Sequence, residues 1–290
     1  MWIISPEVTV NFWFGIILGV RPAFIDQLQN AWTQSNSFLC VGLDPDPGRF
    51  PGSLTGDDPG VVRFCCEMVD ATHAYVCAFK PQFAHFAALG LENALAKVID
   101  YIHESYPDIP VILDAKRGDV GSTAERYAEE VFVRYGADAV TVNPYLGWDS
   151  IAPFTEHAGR GVVVLCHTSN PDGGWLQEYP SDDPVYLRVA RLAAEKDTGN
   201  LMLVLGATFP ELIGRVRQDL PSMPFLVPGV GTQGGDLAAV LDVGRNDKGA
   251  GLVINASRSV LYASSGDDYA AAAESAARDL ANAMEIAPTL

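Results

Sequence analysis

The sequence predicts an α/β fold of the (β/α)8, or TIM, barrel class, and three observations carry that prediction. Short apolar β-type runs alternate with helical patterns from Ser37 almost to the C-terminal end. No low-complexity linker or shift in composition divides the chain. Polar and charged residues recur just after the apolar runs, where a barrel builds its active site, at the C-terminal ends of its strands.

The elements follow in order. Phe38–Leu43 is a first strand ended by Asp44, and Tyr75–Phe79 a second followed by Lys80. Val111–Leu113 leads into Asp114 and Lys116, with helical stretches Leu91–Ser105 before it and Ser122–Arg134 after it. Ser122 and Glu125 stand at capping-box spacing, which marks the start of the second helix. Ala139–Val142 is followed by Asn143, and Val162–Cys166 by Thr168 and Ser169; the helix Pro184–Lys196 then leads to Leu201–Leu205. Phe225–Val227 runs into a glycine-rich turn and the helix Gly235–Val243. Leu252–Ile254 is followed by Arg258, and an alanine-rich helix from Asp267 closes the chain. Alternating units over roughly 250 residues fit one barrel. An open doubly wound sheet is the alternative, because strand closure leaves no mark in a sequence.

Residues 24–290 are read as one barrel domain and residues 1–23 as an N-terminal extension. Within it Val8–Val20 is apolar but too short to span a bilayer, and Glu7, not a basic cluster, precedes it. An over-long start and a targeting segment are the two accounts of that extension. A hydrophobic content of 48% over 290 residues can bury a large core. With 36 acidic against 19 basic residues and a formal charge of −17, the composition argues against a nucleic-acid or anionic-membrane surface. Any anionic ligand must then be held by a few well-placed cations. Cys40, Cys65, Cys66, Cys77 and Cys166 fall in apolar runs without paired metal-ligand spacing, so they read as reduced, buried thiols of a cytoplasmic protein.

The chemistry concentrates after the third run, where Asp114, Lys116 and Asp119 end an apolar strand. A period of two puts Asp114 and Lys116 on one face, pointing into the barrel mouth. A structural salt bridge between strand and loop is the bland account. Lys80, ending the neighbouring strand, adds a second cation to the same mouth, and alternating Lys, Asp, Lys, Asp is a poor choice for stability alone. Pro228 to Gly235 after the seventh run, with Gln233, and Arg258 after the eighth stand where barrels commonly grip phosphate. A rim arginine with only a structural ion pair is the alternative. The stretch from His167 to Pro184 is long and polar and contains Gly173 and Gly174, which suggests a mobile lid. Ser169 is a candidate for reading a bound ring, or else a turn serine. His167 orders this loop, and His85 packs on a helix.

These motifs resemble the orotidine 5′-monophosphate decarboxylase family. The resemblance rests on Leu43-Asp44, Phe79-Lys80-Pro81, the Asp114, Lys116 and Asp119 pattern, and Thr168-Ser169-Asn170-Pro171. The run from Pro228 to Gly235 and Asn255-Ala256-Ser257-Arg258-Ser259 complete it, in order, over about Phe24 to Ala263. Phe79-Lys80-Pro81-Gln82 and Asn143-Pro144-Tyr145-Leu146-Gly147 look closer to the bacterial branch with longer loops. The resemblance implies a lyase of UMP biosynthesis that needs no cofactor or metal, acting as a homodimer with shared active sites. It also implies that Lys116 gives a proton to C6 of the pyrimidine as carbon dioxide leaves, with Asp114 beside the departing carboxylate. Lys80 and Asp44 would contact the ribose, and Asp119 and Thr123 would reach the partner's site. Ser169 would face the base, and Pro228, Gln233, Ser257 and Arg258 would line the phosphate end.

Two other readings stay open on the residues. One is a related magnesium-dependent sugar-phosphate decarboxylase, against which Lys80 speaks, since a lysine would repel the ion. The other is a non-catalytic nucleotide-binding barrel that keeps only the phosphate grip.

Overall fold

The structure, a computed structural model, describes residues 21–230 and 234–284. The expected extension lies outside them up to residue 20, as does Gln233. Eight parallel strands form one sheet: β1 (Leu39–Leu43), β2 (Ala78–Pro81), β3 (Ile112–Arg117), β4 (Ala139–Val142), β5 (Gly161–His167), β6 (Leu201–Leu205), β7 (Phe225–Pro228) and β8 (Leu252–Ala256). Their order is β2-β1-β8-β7-β6-β5-β4-β3, and single parallel bridges Phe79–Val111 and Gln82–Asp114 join β2 to β3. The ring is therefore a barrel and not an open sheet. The strands are largely apolar because most of their residues are buried, between the barrel interior and the helices, with the charged exceptions near the C-terminal ends of β2 and β3.

The longer helices are α1 (Phe24–Ser35), before β1; α2 (Asp58–Thr72), α3 (Glu92–Ser105), α4 (Gly121–Glu129), α5 (Val185–Lys196), α6 (Pro210–Asp219) and α7 (Leu237–Gly244), between strands; and α8 (Tyr269–Ala283), after β8. Local chemistry sets their ends. Asp57 accepts from Gly60 N–H to start α2, and Asn36 takes the left-handed conformation that stops α1. Asp236 accepts from Ala239 N–H, which moves the start of α7 from the expected Gly235 to Leu237.

Three expectations need correction. The capping box is not made: Val120 precedes the first helical residue, Gly121, with no side-chain cap, and Ser122 sits inside the first turn. The expected helix Ser122–Arg134 also divides, ending as a π-helical turn over Glu130–Arg134. The second strand begins at Ala78, not Tyr75, which winds into a 3-10 turn, His73–Tyr75, at the end of α2; the strand runs on to Pro81, so Lys80 lies within it. Of the thiols, Cys66 is only half-buried. Burial raises the Cys40 thiol to about 12 and that of Cys66 to about 11, so both are protonated at neutral pH. Among the described residues no helix is long and apolar enough to cross a membrane.

Candidate active site

The strands' C-terminal ends surround a cavity of roughly 390 Å³. Asp44, Lys80, Asp114, Lys116, Ser169, Pro228, Ser257 and Arg258 all line it. Asp119 and Thr123 do not; Thr123 is exposed on α4, and Asp119 is half-buried and accepts from the N–H of Val120. The structure thus gathers most of the expected residues and leaves these two outside the same chain's cavity.

Asp114 organises the floor. It is 7% exposed, and its two oxygens accept four donors. Lys80 Nζ (2.9 Å) and Gln82 Nε2 (3.0 Å) donate to Oδ2; Lys116 Nζ (2.7 Å) and Thr141 Oγ1 (2.8 Å) donate to Oδ1. Burial alone would raise the Asp114 pKa, but the two ammonium groups outweigh it and hold the carboxyl well below its ordinary value. Burial alone would likewise lower the Lys80 pKa; Asp114, with Asp44 and Cys40, reverses that and raises it. The pair is therefore ionised throughout the neutral range. The Lys116 side chain, 49% exposed, reaches from this anchor into the cavity.

Asp114 and Lys116 do meet, but not through a regular pleat. The ladder between β3 and β4 pairs Leu113 with Val140 and then Arg117 with Val142, so its register shifts across the residues that carry the charges. Lys116 has φ +44°, a left-handed conformation that a side chain with Cβ rarely adopts.

The two ends of the cavity differ in character. Asp44 lines the cavity, and its Oδ1 is buried without a hydrogen-bond partner among the described residues. Tyr262 holds the turn that follows β1, accepting from Asp46 N–H and donating to the Asp44 carbonyl. Gly42 has no room for a side chain, since a Cβ would stand 1.9 Å from Ser257 Oγ. Beyond β7 the turn closes through Gly235 N–H donating to Gly229 O. Gly229 there has φ +99°, open to glycine alone without strain. Arg258 is exposed at the cavity rim and starts a short helical turn, Arg258–Leu261.

Along the fifth connection, His167 is buried with Nε2 3.0 Å from Glu178 Oε1, and Gln177 Oε1 accepts from Thr168 N–H. Gly173 and Gly174 lie in consecutive short turns, Pro171–Gly173 and Gly174–Gln177. His85 is exposed on the short helix Phe83–Ala87, its Nδ1 3.2 Å from the Pro45 carbonyl. Among the described residues no group of three His, Cys, Asp or Glu is arranged to hold a metal ion.

Sequence reasoning missed Gln82 and Thr141. Gln82 stands two residues after Lys80, the spacing that returns a strand to the same face. Thr141 is the one polar residue in the run Ala139–Val142. Both signals were available.

The model of the Orotidine 5′-phosphate decarboxylase / HUMPS family matches residues 37–275. The chain belongs to this family. An orotidine 5′-phosphate decarboxylase of Ralstonia pickettii is 55% identical over 253 residues, covering 86% of this chain and 93% of that protein. One from Dechloromonas aromatica is 52% identical over 266 residues, covering 91% and 98%. Among solved structures, the Leishmania donovani OMP decarboxylase superposes with a TM-score of 0.78 at 37% identity, covering 91% of this chain and all of that one. The Methanocaldococcus jannaschii orotidine 5′-monophosphate decarboxylase, complexed with the inhibitor BMP, shares the fold at 19% identity and a TM-score of 0.61, covering 84% and 98%. The decarboxylase side of the family, and not merely its barrel, is what these relatives have in common.

Proposed function

We propose that this chain is a carboxy-lyase of pyrimidine biosynthesis that converts orotidine 5′-monophosphate to uridine 5′-monophosphate. The observation that carries this reading is one buried carboxylate, Asp114, bonded at once to Lys80 and Lys116 on the cavity floor. The bond between C6 and the carboxylate breaks, carbon dioxide leaves, and the electron pair stays at C6. The Lys116 ammonium stabilises that charge as it develops and then gives C6 its proton; solvent reprotonates the amine. Asp114 keeps Lys116 aimed and charged, and Lys80 neutralises Asp114 from below. The unpartnered Asp44 oxygen accepts a ribose hydroxyl, which removes a desolvation cost of about 1–3 kcal/mol. Arg258, Ser257, the turn at Pro228 and Gln233 take the phosphate, and Ser169 with the connection after β5 covers the ring.

A magnesium-dependent reaction fits these residues poorly. Both Asp114 oxygens are occupied by ammonium, amide and hydroxyl donors, and Lys80 would repel a cation there. The site therefore works on fixed protein charge, without cofactor or metal. The strongly acidic, thiol-protonated chain suits the cytoplasm and has no nucleic-acid partner. Asp119 and Thr123, outside their own cavity, complete the site of a second copy in a homodimer.

The test follows loss of the orotate chromophore with purified protein in excess chelator, for the wild type and Lys116→Ala. Wild-type activity should persist under chelation. Lys116→Ala should abolish turnover while still binding uridine 5′-monophosphate, because its contribution is made in the transition state. Equal losses of product binding and turnover would remove Lys116 from the proton-donor role.

A further inference from the structure

We infer that Thr141 is the positioning residue that sets the geometry of Lys116. The inference rests on the reading of Lys116 as the proton donor. Between the pairs Leu113–Val140 and Arg117–Val142, β3 carries three residues, Asp114, Ala115 and Lys116, where β4 carries one, Thr141. Main-chain pairing cannot serve all three, so the bulge needs another acceptor. Thr141 Oγ1 supplies it, accepting from Ala115 N–H at 3.1 Å and Lys116 N–H at 2.9 Å.

A hydroxyl has two lone pairs and one proton. With both lone pairs engaged, the proton points to Asp114 Oδ1 at 2.8 Å, the same oxygen that accepts from Lys116 Nζ at 2.7 Å. One atom thus holds the lysine at both ends: its backbone directly, at φ +44°, and its ammonium through Asp114. Thr141 is 1% exposed, so water does not compete for these bonds. Valine has the same shape and lacks all three. Without the hydroxyl, the Lys116 N–H loses its acceptor at a strained φ, and Asp114 Oδ1 loses a donor that orients it.

A residue that merely fills the strand would affect stability and leave turnover per folded site unchanged. The experiment therefore measures kcat on orotidine 5′-monophosphate for Thr141→Val, Thr141→Ala and Thr141→Ser, normalised to sites titrated calorimetrically with uridine 5′-monophosphate. We expect Val and Ala to lower kcat about 30-fold, equivalent to about 2 kcal/mol of barrel-floor organisation. The product dissociation constant should stay within about twofold, since phosphate and ribose contacts are untouched. Ser, which restores the hydroxyl, should recover kcat to within about threefold of wild type. If Thr141→Val yields no folded protein, the comparison of Ala with Ser decides alone. Wild-type kcat in the hydroxyl-free variants, or a Ser variant as slow as Ala, overturns the inference. Lys116→Ala separates this failure from that of the underlying reading: an active Lys116→Ala refutes the donor role, whereas an inactive one beside a fully active Thr141→Val or Thr141→Ala refutes only the part given to Thr141.

Discussion

Removing Asp114 should damage folding more than removing Lys80 and Asp114 together. Lys80 is 4% exposed and Asp114 7%, so Asp114→Ala strands a buried ammonium whose remaining charge partners among the described residues are Asp44 and the Cys40 thiol. Breaking a buried pair in this way costs about 3–5 kcal/mol, whereas replacing both partners by apolar groups is often close to neutral. The double variant Lys80→Met/Asp114→Ala should thus be more stable than Asp114→Ala by at least about 2 kcal/mol, a reversal that additive losses cannot produce. Urea unfolding of the wild type, both single variants and the double variant at pH 7 measures this. A double variant less stable than Asp114→Ala, with losses summing to within about 0.5 kcal/mol, would refute the reasoning.

The pH dependence supplies an independent sign. In the wild type the raised Lys80 pKa contributes stability that is fully present below the ordinary lysine value of 10.5 and is lost as pH rises through the folded value. The depressed Asp114 pKa contributes stability present above the ordinary 3.8 and lost as pH falls through its folded value. The pair should therefore add a flat increment from about pH 4 to 10. In Asp114→Ala burial wins, the Lys80 pKa drops, and the unfolded chain binds more protons than the folded one. Stability should then rise from pH 7 towards 10, measured relative to the double variant so that other groups cancel. A flat difference would contradict the burial argument.

If Arg258 holds the phosphate as proposed, Arg258→Ala should lower kcat/KM by about a hundredfold or more, since a bidentate grip would lose two charge-assisted bonds of about 1.5–3 kcal/mol each; unchanged kinetics would move the phosphate site. On the proposed shared-site homodimer, mixing inactive Lys116→Ala and Asp119→Ala chains should return about a quarter of wild-type activity, because about half the dimers would be mixed and each would have one intact site. Parental activity after exchange, verified by native mass spectrometry of tagged chains, would assign Asp119 to its own chain. Asp138, buried at the start of β4, is bonded to Arg21, Gln27, His103 and Val111 N–H. Burial would raise its pKa, but His103 and Arg21 hold it at about 2. Against 3.8 in the unfolded chain this is worth roughly 2 kcal/mol at neutral pH, so the stability gap between wild type and Asp138→Asn should close as pH falls from about 4 towards 2. A gap independent of pH would show that the charge contributes nothing.

What the sequence made legible was what repeats or what stands out chemically. Ala139–Val142 and Leu201–Leu205 were bounded to the residue, because short, almost wholly apolar runs between polar segments fit buried strands. Asp114 and Lys80 stood out because burying such charges in barrel strands needs a compensating reason. The ends of elements were harder. Ser122 and Glu125 have capping-box spacing, yet the helix begins at Gly121, whose φ of +56° lets the chain turn without a side-chain cap. At β2, an apolar stretch that begins at Tyr75 read as strand, although Tyr75 winds with His73 and Ala74 into a turn.

Gln82 and Thr141 share a physical trait: each bonds to the backbone or to the Asp114 carboxylate. Thr141 reads as β-branched filler, since its hydroxyl matters only where β3 bulges, and no local pattern announces a register shift across two strands that are 26 residues apart at Ala115 and Thr141. The same shift explains why period-two reasoning reached the correct neighbours by an incomplete route. A regular pleat would carry Asp114 and Lys116 on one face with both side chains standing off the sheet. The bulge instead folds Lys116 back so that its ammonium and Asp114 touch at 2.7 Å while half the lysine stays open to the cavity. A regular strand could supply the two charges, but the irregular one supplies a buried anchor and an accessible cation from residues two apart, which is the combination that proton delivery to a ligand requires.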